Sequence, residues 1–168
     1  MMRLVMFDCD GTLVDSQYVI IDSMQASFRA HGIPPPAPDA VKRIVGLSLP
    51  QAIGQLHGKA DAVLIESLVA AYKEYFLELR ASPGLHEPLF ADVVETLTLL
   101  EDTGYALGIA TGKSRRGLSA ILETHGLAKH FVPLQTADDA PSKPHPGMLE
   151  RAMTETGMAK EETVLIGD

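Results

Sequence analysis

The chain has 168 residues, 46% of them hydrophobic, and its 22 acidic against 14 basic side chains leave a net charge of −8. This size and apolar content predict one globular domain with a modest insertion, and the acidic balance argues against a nucleic-acid-binding protein, which needs a basic patch. The apolar run before Asp8 is too short for a signal peptide or a membrane span, and the lone cysteine, Cys9, suits a reducing compartment. We therefore expect a cytoplasmic protein without a membrane partner.

The first predicted element is a buried strand that ends in two aspartates. Leu4 to Phe7 are apolar and β-prone, Asp8 and Asp10 follow one residue apart, and Gly11 permits a sharp turn. Residues two apart on a strand point the same way, so the two carboxylates would repel each other unless a cation or a proton lay between them. The stretch therefore predicts a metal site, with ordinary turn formation as the alternative.

Helical periodicity fills the next part of the chain, which carries no strand signal. Asp15 or Ser16 is placed to act as the N-cap of the first helix. Ser48 opens a later helix as part of a capping box, and the longest helical pattern covers residues 61–81. The prolines of residues 34–38 interrupt the series as a stiff connector.

After this helical stretch the pattern changes to strands that alternate with helices. The predicted strands span residues 105–111, 131–136 and 163–166. Such alternation predicts right-handed crossovers and a parallel sheet with helices on both faces, a Rossmann-like three-layer α/β/α core. We assign residues 1–14 and 82–168 to this core, and residues 15–81 to an all-helical insertion, called the helical insertion below.

Polar residues follow the carboxyl ends of the predicted strands. They are Asp8 and Asp10, Thr111 and Gly112, Lys143, and Asp168. Because ligands of parallel sheets bind beyond these ends, the pattern predicts one composite site. A hydroxyl at Thr111, an amide at Gly112 opening toward a helix N-terminus and the charge of Lys143 suit an anion. Lys113 and Arg115 either add positive potential there or, as is commoner for cations at a helix start, face solvent.

The stretch Phe-Asp-x-Asp-Gly-Thr-Leu-Val-Asp-Ser at residues 7–16 resembles a motif of the haloacid-dehalogenase-like hydrolases. The resemblance is in particular to phosphoglycolate-phosphatase-like members with a small helical cap, and residues 143–146 resemble the family's Lys-Pro-x-Pro. The resemblance implies that Asp8 attacks phosphorus to form an aspartyl-phosphate and that Asp10 is the acid/base. The implied activity is hydrolysis of a small phosphate monoester, phosphoglycolate-like or a sugar phosphate. The sequence leaves the oligomeric state open.

The resemblance also implies the ligands of a metal ion and of the phosphoryl group. Mg²⁺ would be bound by Asp8, Asp168 and the backbone carbonyl of Asp10, and phosphate by Thr111, Gly112 and Lys143. The helical insertion resembles the cap that closes over such a site. Within it, Arg43, Gly46 and Leu47 fall where similar proteins contact the substrate, with plain packing and a helix stop as the alternative.

Two further interpretations stay open. A β-phosphoglucomutase-like phosphomutase would share Asp8 and Asp10 but return the phosphoryl group to a sugar. The family's last motif continues beyond Gly167-Asp168, so we expect the C-terminal part of the core to be missing from this sequence. A non-catalytic phosphate-binding fragment is the second alternative on that ground, and we expect the strand at residues 163–166 to lie exposed.

Overall fold

The computed structural model describes residues 3–82 and 87–167. Its sheet has four parallel strands in the order β3-β2-β1-β4. The strands are β1 (Arg3–Phe7), β2 (Tyr105–Ala110), β3 (Leu134–Gln135) and β4 (Thr163–Ile166). In the central ladder Leu4 of β1 lies opposite Ala106 of β2 and Thr163 of β4. The third strand is much shorter than predicted because Pro133 has no amide hydrogen to donate, and the regular ladder begins after it.

The helices follow the predicted alternation closely. They are α1 (Gln17–Ala30), α2 (Pro38–Lys42), α3 (Leu49–His57), α4 (Ala62–Ala81), α5 (Val93–Asp102), α6 (Arg115–Thr124) and α7 (Gly147–Thr156). Short 3₁₀ helices lie at Ala128–His130 and Lys160–Glu162. None of the helices in the described residues is both long and apolar enough to cross a membrane.

The central strand β1 buries side chains on both faces of the sheet. Val5 and Phe7 join a cluster with residues of α5 and α6, among them Leu97 and Ile121. Leu4 and Met6 point the other way and pack with Met148 and Ala152 of α7. Alternate side chains of a strand face opposite sides, so one short apolar run supports both flanking layers. This arrangement confirms the predicted three-layer α/β/α architecture.

Helices α1 to α4 bury a hydrophobic cluster of their own. Its members include Met24, Phe28, Val41, Ile53 and Leu68, and α1 lies against α4. This cluster contains no residue of the sheet, so the four helices share a hydrophobic core separate from the two cores that flank the sheet.

The chain leaves the α/β part and returns to it at neighbouring points. The amide of Asp15 donates to the carbonyl of Pro88 at 2.8 Å, and the amide of Phe90 donates to the carbonyl of Leu13 at 3.1 Å. The outgoing and returning segments are therefore tied to each other by backbone hydrogen bonds. The predicted return at residues 82–84 lies largely outside the described residues.

Helix starts differ from the sequence prediction in detail. Ser16 occupies the N-cap position of α1, but its hydroxyl donates to Asp10 and makes no bond to the helix. The capping box predicted at Ser48 is wrong, because the side chain of Ser48 makes no N-cap bond in α3. Asp61 does act as an N-cap, since its Oδ1 accepts from the amide of Leu64 at 2.8 Å.

Candidate active site

The two aspartates lie at the carboxyl end of β1, and both side chains are buried. Asp8 is 4% exposed and Asp10 is 7% exposed. The amide of Asp8 donates to the carbonyl of Ile166 in β4 at 2.8 Å, and Asp8 Oδ1 accepts from the amide of Cys9 at 2.7 Å. Both carboxylates are thus buried at one strand end, and Asp8 is oriented by the backbone around it.

Lys143 forms an ion pair with Asp8. Its Nζ contacts Asp8 Oδ2 and lies 3.4 Å from the carbonyl oxygen of Ala110, the last residue of β2. Burial raises the pKa of Asp8 above its ordinary value, although the Lys143 ammonium and the Cys9 amide oppose that rise. The lysine is therefore the main group that opposes the rise in the pKa of Asp8.

Asp10 is held by two donors, Lys113 and Ser16. Lys113 Nζ lies 2.7 Å from Asp10 Oδ1, and the hydroxyl of Ser16 donates to the same oxygen. The Lys113 side chain is only 10% exposed, so the interpretation that it faces solvent is wrong. Burial alone would lower the pKa of Lys113, but the Asp10 carboxylate outweighs this effect and the pKa is raised.

Arg115 behaves differently from its neighbour in sequence. Its side chain is 43% exposed, and its Nη2 lies 2.6 Å from Asp139 Oδ2. In the sequence, Lys113 and Arg115 differ mainly in how many residues separate them from the end of β2. Lys113 directly follows Thr111-Gly112, whereas Arg115 is already the first residue of α6.

Thr111 and Gly112 lie immediately after β2, beside the aspartates. Thr111 is 1% exposed, and its hydroxyl oxygen accepts from the amide of Lys113 at 3.3 Å. It is not the N-cap of the next helix, because Ser114 fills that position and accepts from the amide of Gly117 at 3.2 Å. The buried hydroxyl of Thr111 therefore serves the loop at the strand end.

The loop between α2 and α3 packs against the residues that follow β1 and β2. A Cβ added to Gly112 would lie 2.3 Å from the carbonyl oxygen of Leu47 and 2.6 Å from that of Gly46. Gly46 has a φ of +95°, and a Cβ there would lie 3.1 Å from Asp8 Oδ2 and 3.5 Å from Lys143 Nζ. Gly46 and Leu47 thus lie at the site, whereas the third loop residue considered from the sequence, Arg43, is exposed.

Helix α4 supplies two aromatic side chains on the Asp10 side of the site. Lys113 Nζ lies 5.5 Å from the centre of the Phe76 ring, and that ring stacks on Tyr72 with a centroid separation of 5.7 Å. Burial, together with the charge of nearby Asp10, raises the pKa of Tyr72. The site is therefore walled by the sheet on one side and by the helical insertion on the other.

A family model described as "Haloacid dehalogenase-like hydrolase" matches residues 5–168. The chain belongs to the haloacid dehalogenase-like hydrolases. "Probable phosphatase IndB" of Dickeya dadantii is 38% identical to this hydrolase over 174 residues, which cover 100% of this chain and 74% of the relative. The phosphoglycolate phosphatase of Vibrio parahaemolyticus is 31% identical, with 99% of this chain and 75% of the relative covered.

Among solved structures, a haloacid dehalogenase-like hydrolase from Bacteroides fragilis superimposes with a TM-score of 0.89 at 28% identity. That match covers 100% of this chain and 79% of the other. This hydrolase thus spans about three quarters of the length of the two curated relatives. These findings confirm the predicted family, its α/β fold class and the predicted enzyme class, a phosphatase.

The donor set of this hydrolase suits a hard divalent cation in part. Asp8 and Asp10 supply oxygen ligands at one strand end, the ligand type that Mg²⁺ prefers. The residues that the structure describes contain no group of three or more His, Cys, Asp or Glu side chains placed to hold a metal. Asp168 lies outside them, and its neighbour Gly167 lies against Asp8, where an added Cβ would be 3.4 Å from the Asp8 Cβ.

Cys9, between the two aspartates, is not a candidate nucleophile of the hydrolase. Its side chain is 0% exposed and packs in the cluster between the sheet and α5 and α6. Burial first, and then the charge of Asp10, raises the pKa of the thiol. The residue therefore serves as a small core side chain, as the alternation of the strand predicts.

Proposed function

We propose that this chain hydrolyses a small phosphate monoester, phosphoglycolate-like or a sugar phosphate, through an aspartyl-phosphate on Asp8. One observation carries the proposal: two carboxylates are buried at the end of β1, and each is paired with a lysine. In enzymes, buried carboxylates held by specific partners often act as nucleophiles or as acid/base catalysts.

In the proposed first step, a carboxylate oxygen of Asp8 attacks phosphorus and the bond from phosphorus to the leaving oxygen breaks. Asp10, protonated at the start of this step, gives its proton to the leaving oxygen as that bond breaks. In the second step, water attacks the phosphorus of the aspartyl-phosphate and gives its proton to Asp10. The bond from phosphorus to Asp8 then breaks, inorganic phosphate leaves, and both aspartates return to their starting states.

Lys143, Thr111 and Gly112 are the proposed ligands of the phosphoryl group. Lys143 already meets Asp8, so a phosphoryl group brought to that carboxylate lies within reach of the ammonium. At an effective dielectric of 20, two unit charges 4 Å apart interact by about 4 kcal/mol before desolvation, which is enough to offset much of the repulsion between nucleophile and substrate. The Thr111 hydroxyl and the Gly112 amide add neutral donors.

The charge balance supports a divalent cation at the same place. With Asp10 protonated for the first step, one carboxylate and two ammonium groups sum to +1, so these four side chains leave part of the charge of a phosphate dianion uncompensated. Mg²⁺, bound by Asp8, Asp168 and the backbone carbonyl of Asp10, would polarise a phosphoryl oxygen and screen the charge of Asp8 from it.

The helical insertion, residues 15–81, is proposed to cover the site and to contact the leaving group. Gly46 and Leu47 reach Asp8 and Gly112, while α4 brings Phe76 beside Lys113. Covering a site in this way excludes bulk water and so strengthens the electrostatic contacts within it.

The test is Mg²⁺-dependent phosphate release from a panel of small phosphate monoesters by the wild-type chain and by Asp8→Asn. We expect turnover by the wild type and its complete loss in Asp8→Asn, because an amide cannot act as the nucleophile. Asp39→Asn, the same change at a side chain 80% exposed, is the matched control and should leave turnover unchanged.

Full activity in Asp8→Asn contradicts the mechanism. Isomerised sugar phosphate with little free phosphate would instead identify a phosphomutase. Saturable phosphate binding without turnover would favour a non-catalytic protein.

A further inference from the structure

The Asp10 carboxylate is held on one oxygen only within the described residues. Lys113 Nζ and Ser16 Oγ both bond to Oδ1, and no hydrogen bond from a described residue ends on Oδ2. A carboxylate anchored through one oxygen has its rotation about the Cβ–Cγ bond restricted, so the position of the other oxygen is set as well.

Lys113 is itself held from the opposite side by the helical insertion. Its Nζ lies 2.7 Å from Asp10 Oδ1 and 5.5 Å from the centre of the Phe76 ring. Phe76 stacks in turn on Tyr72, which fixes the ring that the ammonium faces. A cation over an aromatic face is attracted to it, and the attraction grows as water is excluded.

The ammonium of Lys113 therefore joins two parts of the chain that are distant in sequence. Its side chain is 10% exposed, so little water competes for its contacts. Lys143 forms the corresponding ion pair with Asp8, but Asp8 is the proposed nucleophile and Lys143 is itself a proposed phosphate ligand. Lys113 has no such role in the mechanism above.

We propose that Lys113 is a positioning residue that, held between Phe76 and Asp10, fixes Asp10 Oδ1 and thereby aims Oδ2 at the leaving oxygen. The inference rests on the proposed function, in which Asp10 transfers the proton. In that reaction the lysine touches neither the phosphoryl group nor the leaving group. Its effect is expected on the chemical step and not on substrate binding.

The experiment compares steady-state kinetics of the wild type, Lys113→Met, Lys113→Arg and Phe76→Leu on the best monoester substrate. Lys113→Met keeps the length of the side chain but removes the charge, and we expect kcat to fall by about tenfold or more with KM within about twofold. Lys113→Arg should restore most of the lost kcat. Phe76→Leu should lower kcat by a smaller factor, because the ion pair itself remains.

Lys73→Met is the matched control, since Lys73 is an exposed lysine on the same helix as Phe76 and should keep wild-type kcat. Thermal unfolding of each variant separates a loss of fold from a loss of positioning, and Phe76→Leu serves as the test if Lys113→Met does not fold. Wild-type kcat in Lys113→Met, a change confined to KM, or an equal loss in the Met and Arg variants would overturn the inference.

Crystal structures of the wild type and Lys113→Met provide a readout that does not depend on turnover. We expect Asp10 to rotate away from its wild-type position in the variant, and an unchanged Asp10 side chain contradicts the inference. If the wild type releases no phosphate from any ester, the proposed function fails. These two structures then still decide whether Lys113 orients Asp10.

Discussion

Asp139 shows how one carboxylate can organise a loop next to the site. Its Oδ2 accepts from Arg115 Nη2 at 2.6 Å, from the amide of Thr136 at 2.9 Å and from the hydroxyl of Thr136 at 2.5 Å. Arg115 also donates to the carbonyl of Leu134 at 3.0 Å. These bonds tie the start of α6 to the segment that follows β3, and so support the loop that contains Thr111 and Gly112.

The pH dependence of stability at Asp139 follows from these bonds. Burial tends to raise the pKa of Asp139, but hydrogen bonds from Arg115 and Thr136 outweigh it and the pKa is lowered. A lowered pKa means that Asp139 stabilises the folded chain above the unfolded pKa of about 3.9, and that this contribution disappears as pH falls through the folded pKa. Asp139→Asn should therefore destabilise the chain at pH 7, and by less as pH drops below about 4.

Urea unfolding of the wild type and Asp139→Asn over a series of pH values measures this difference. A difference in unfolding free energy that stays constant down to the lowest pH would show that the charge of Asp139 contributes nothing.

At the scale of the elements, polar residues at helix starts make different hydrogen bonds, some to the helix and some to other parts of the chain. Asp61 binds the amide of Leu64, Ser114 binds the amide of Gly117, and Ser16 has turned its hydroxyl toward Asp10 instead. Ser48 uses its backbone amide to donate to the Ser142 hydroxyl at 2.7 Å, which links the loop before α3 to the residue preceding Lys143. Two of these four positions thus serve the site and not the helix.

This contrast predicts different costs for removing the side chains. Asp61→Ala should destabilise the chain by about 1 kcal/mol, because it leaves an amide in the first turn of α4 without its partner. Ser48→Ala is the matched control and should cost less, since its side chain makes no bond to the start of α3. Chemical denaturation of both variants measures the two costs, and equal losses would mean that the Asp61 bond contributes nothing.

At the scale of the whole molecule, the α/β part and the helical insertion meet through very close backbone contact. The carbonyl oxygens of Gly46 and Leu47 occupy the space that a side chain at residue 112 would need. At the β4 edge of the sheet, by contrast, Val164, Leu165 and Ile166 are 57, 42 and 41% exposed. The packing of the molecule is therefore tight around Gly112 and open at β4, and only the exposure of β4 was expected from the sequence.

Gly112→Ala tests the close contact. Its Cβ would lie 2.3 Å from a backbone oxygen, so the loop of residues 46–47 has to move away from Asp8. Because a displacement of about 1 Å in a positioning element costs about 100-fold in rate, we expect a loss of kcat/KM of this order.

Gly54→Ala in α3 is the matched control for this substitution. Its Cβ meets only Ile65 Cδ1, at an ordinary 3.6 Å, and alanine in a helix is favoured over glycine by about 0.5–1 kcal/mol. We expect unchanged kcat/KM and slightly higher stability in this variant. Wild-type kcat/KM in Gly112→Ala would contradict the role of the contact.

Much of the fold and the candidate site could be predicted because the relevant signals are local. The run from Leu4 to Asp10 predicts a strand and its acidic end from neighbouring residues alone, and the helical periods and glycine stops work in the same way. That Asp8, Asp10, Thr111 and Lys143 lie near one another also follows from the sequence, since parallel strands end at one edge of a sheet. Asp168 remains a predicted metal ligand.

By itself, the sequence determined the family, the order of the elements and the edge of the sheet on which the polar residues gather. Only the tertiary structure decided that Lys113 turns inward to Asp10 and that Gly46 and Leu47 lie on Gly112. The physical reason is that a lysine at a helix start has solvent as its default partner. It becomes buried only when a carboxylate from β1 and an aromatic ring from α4, both distant in sequence, meet at the same point.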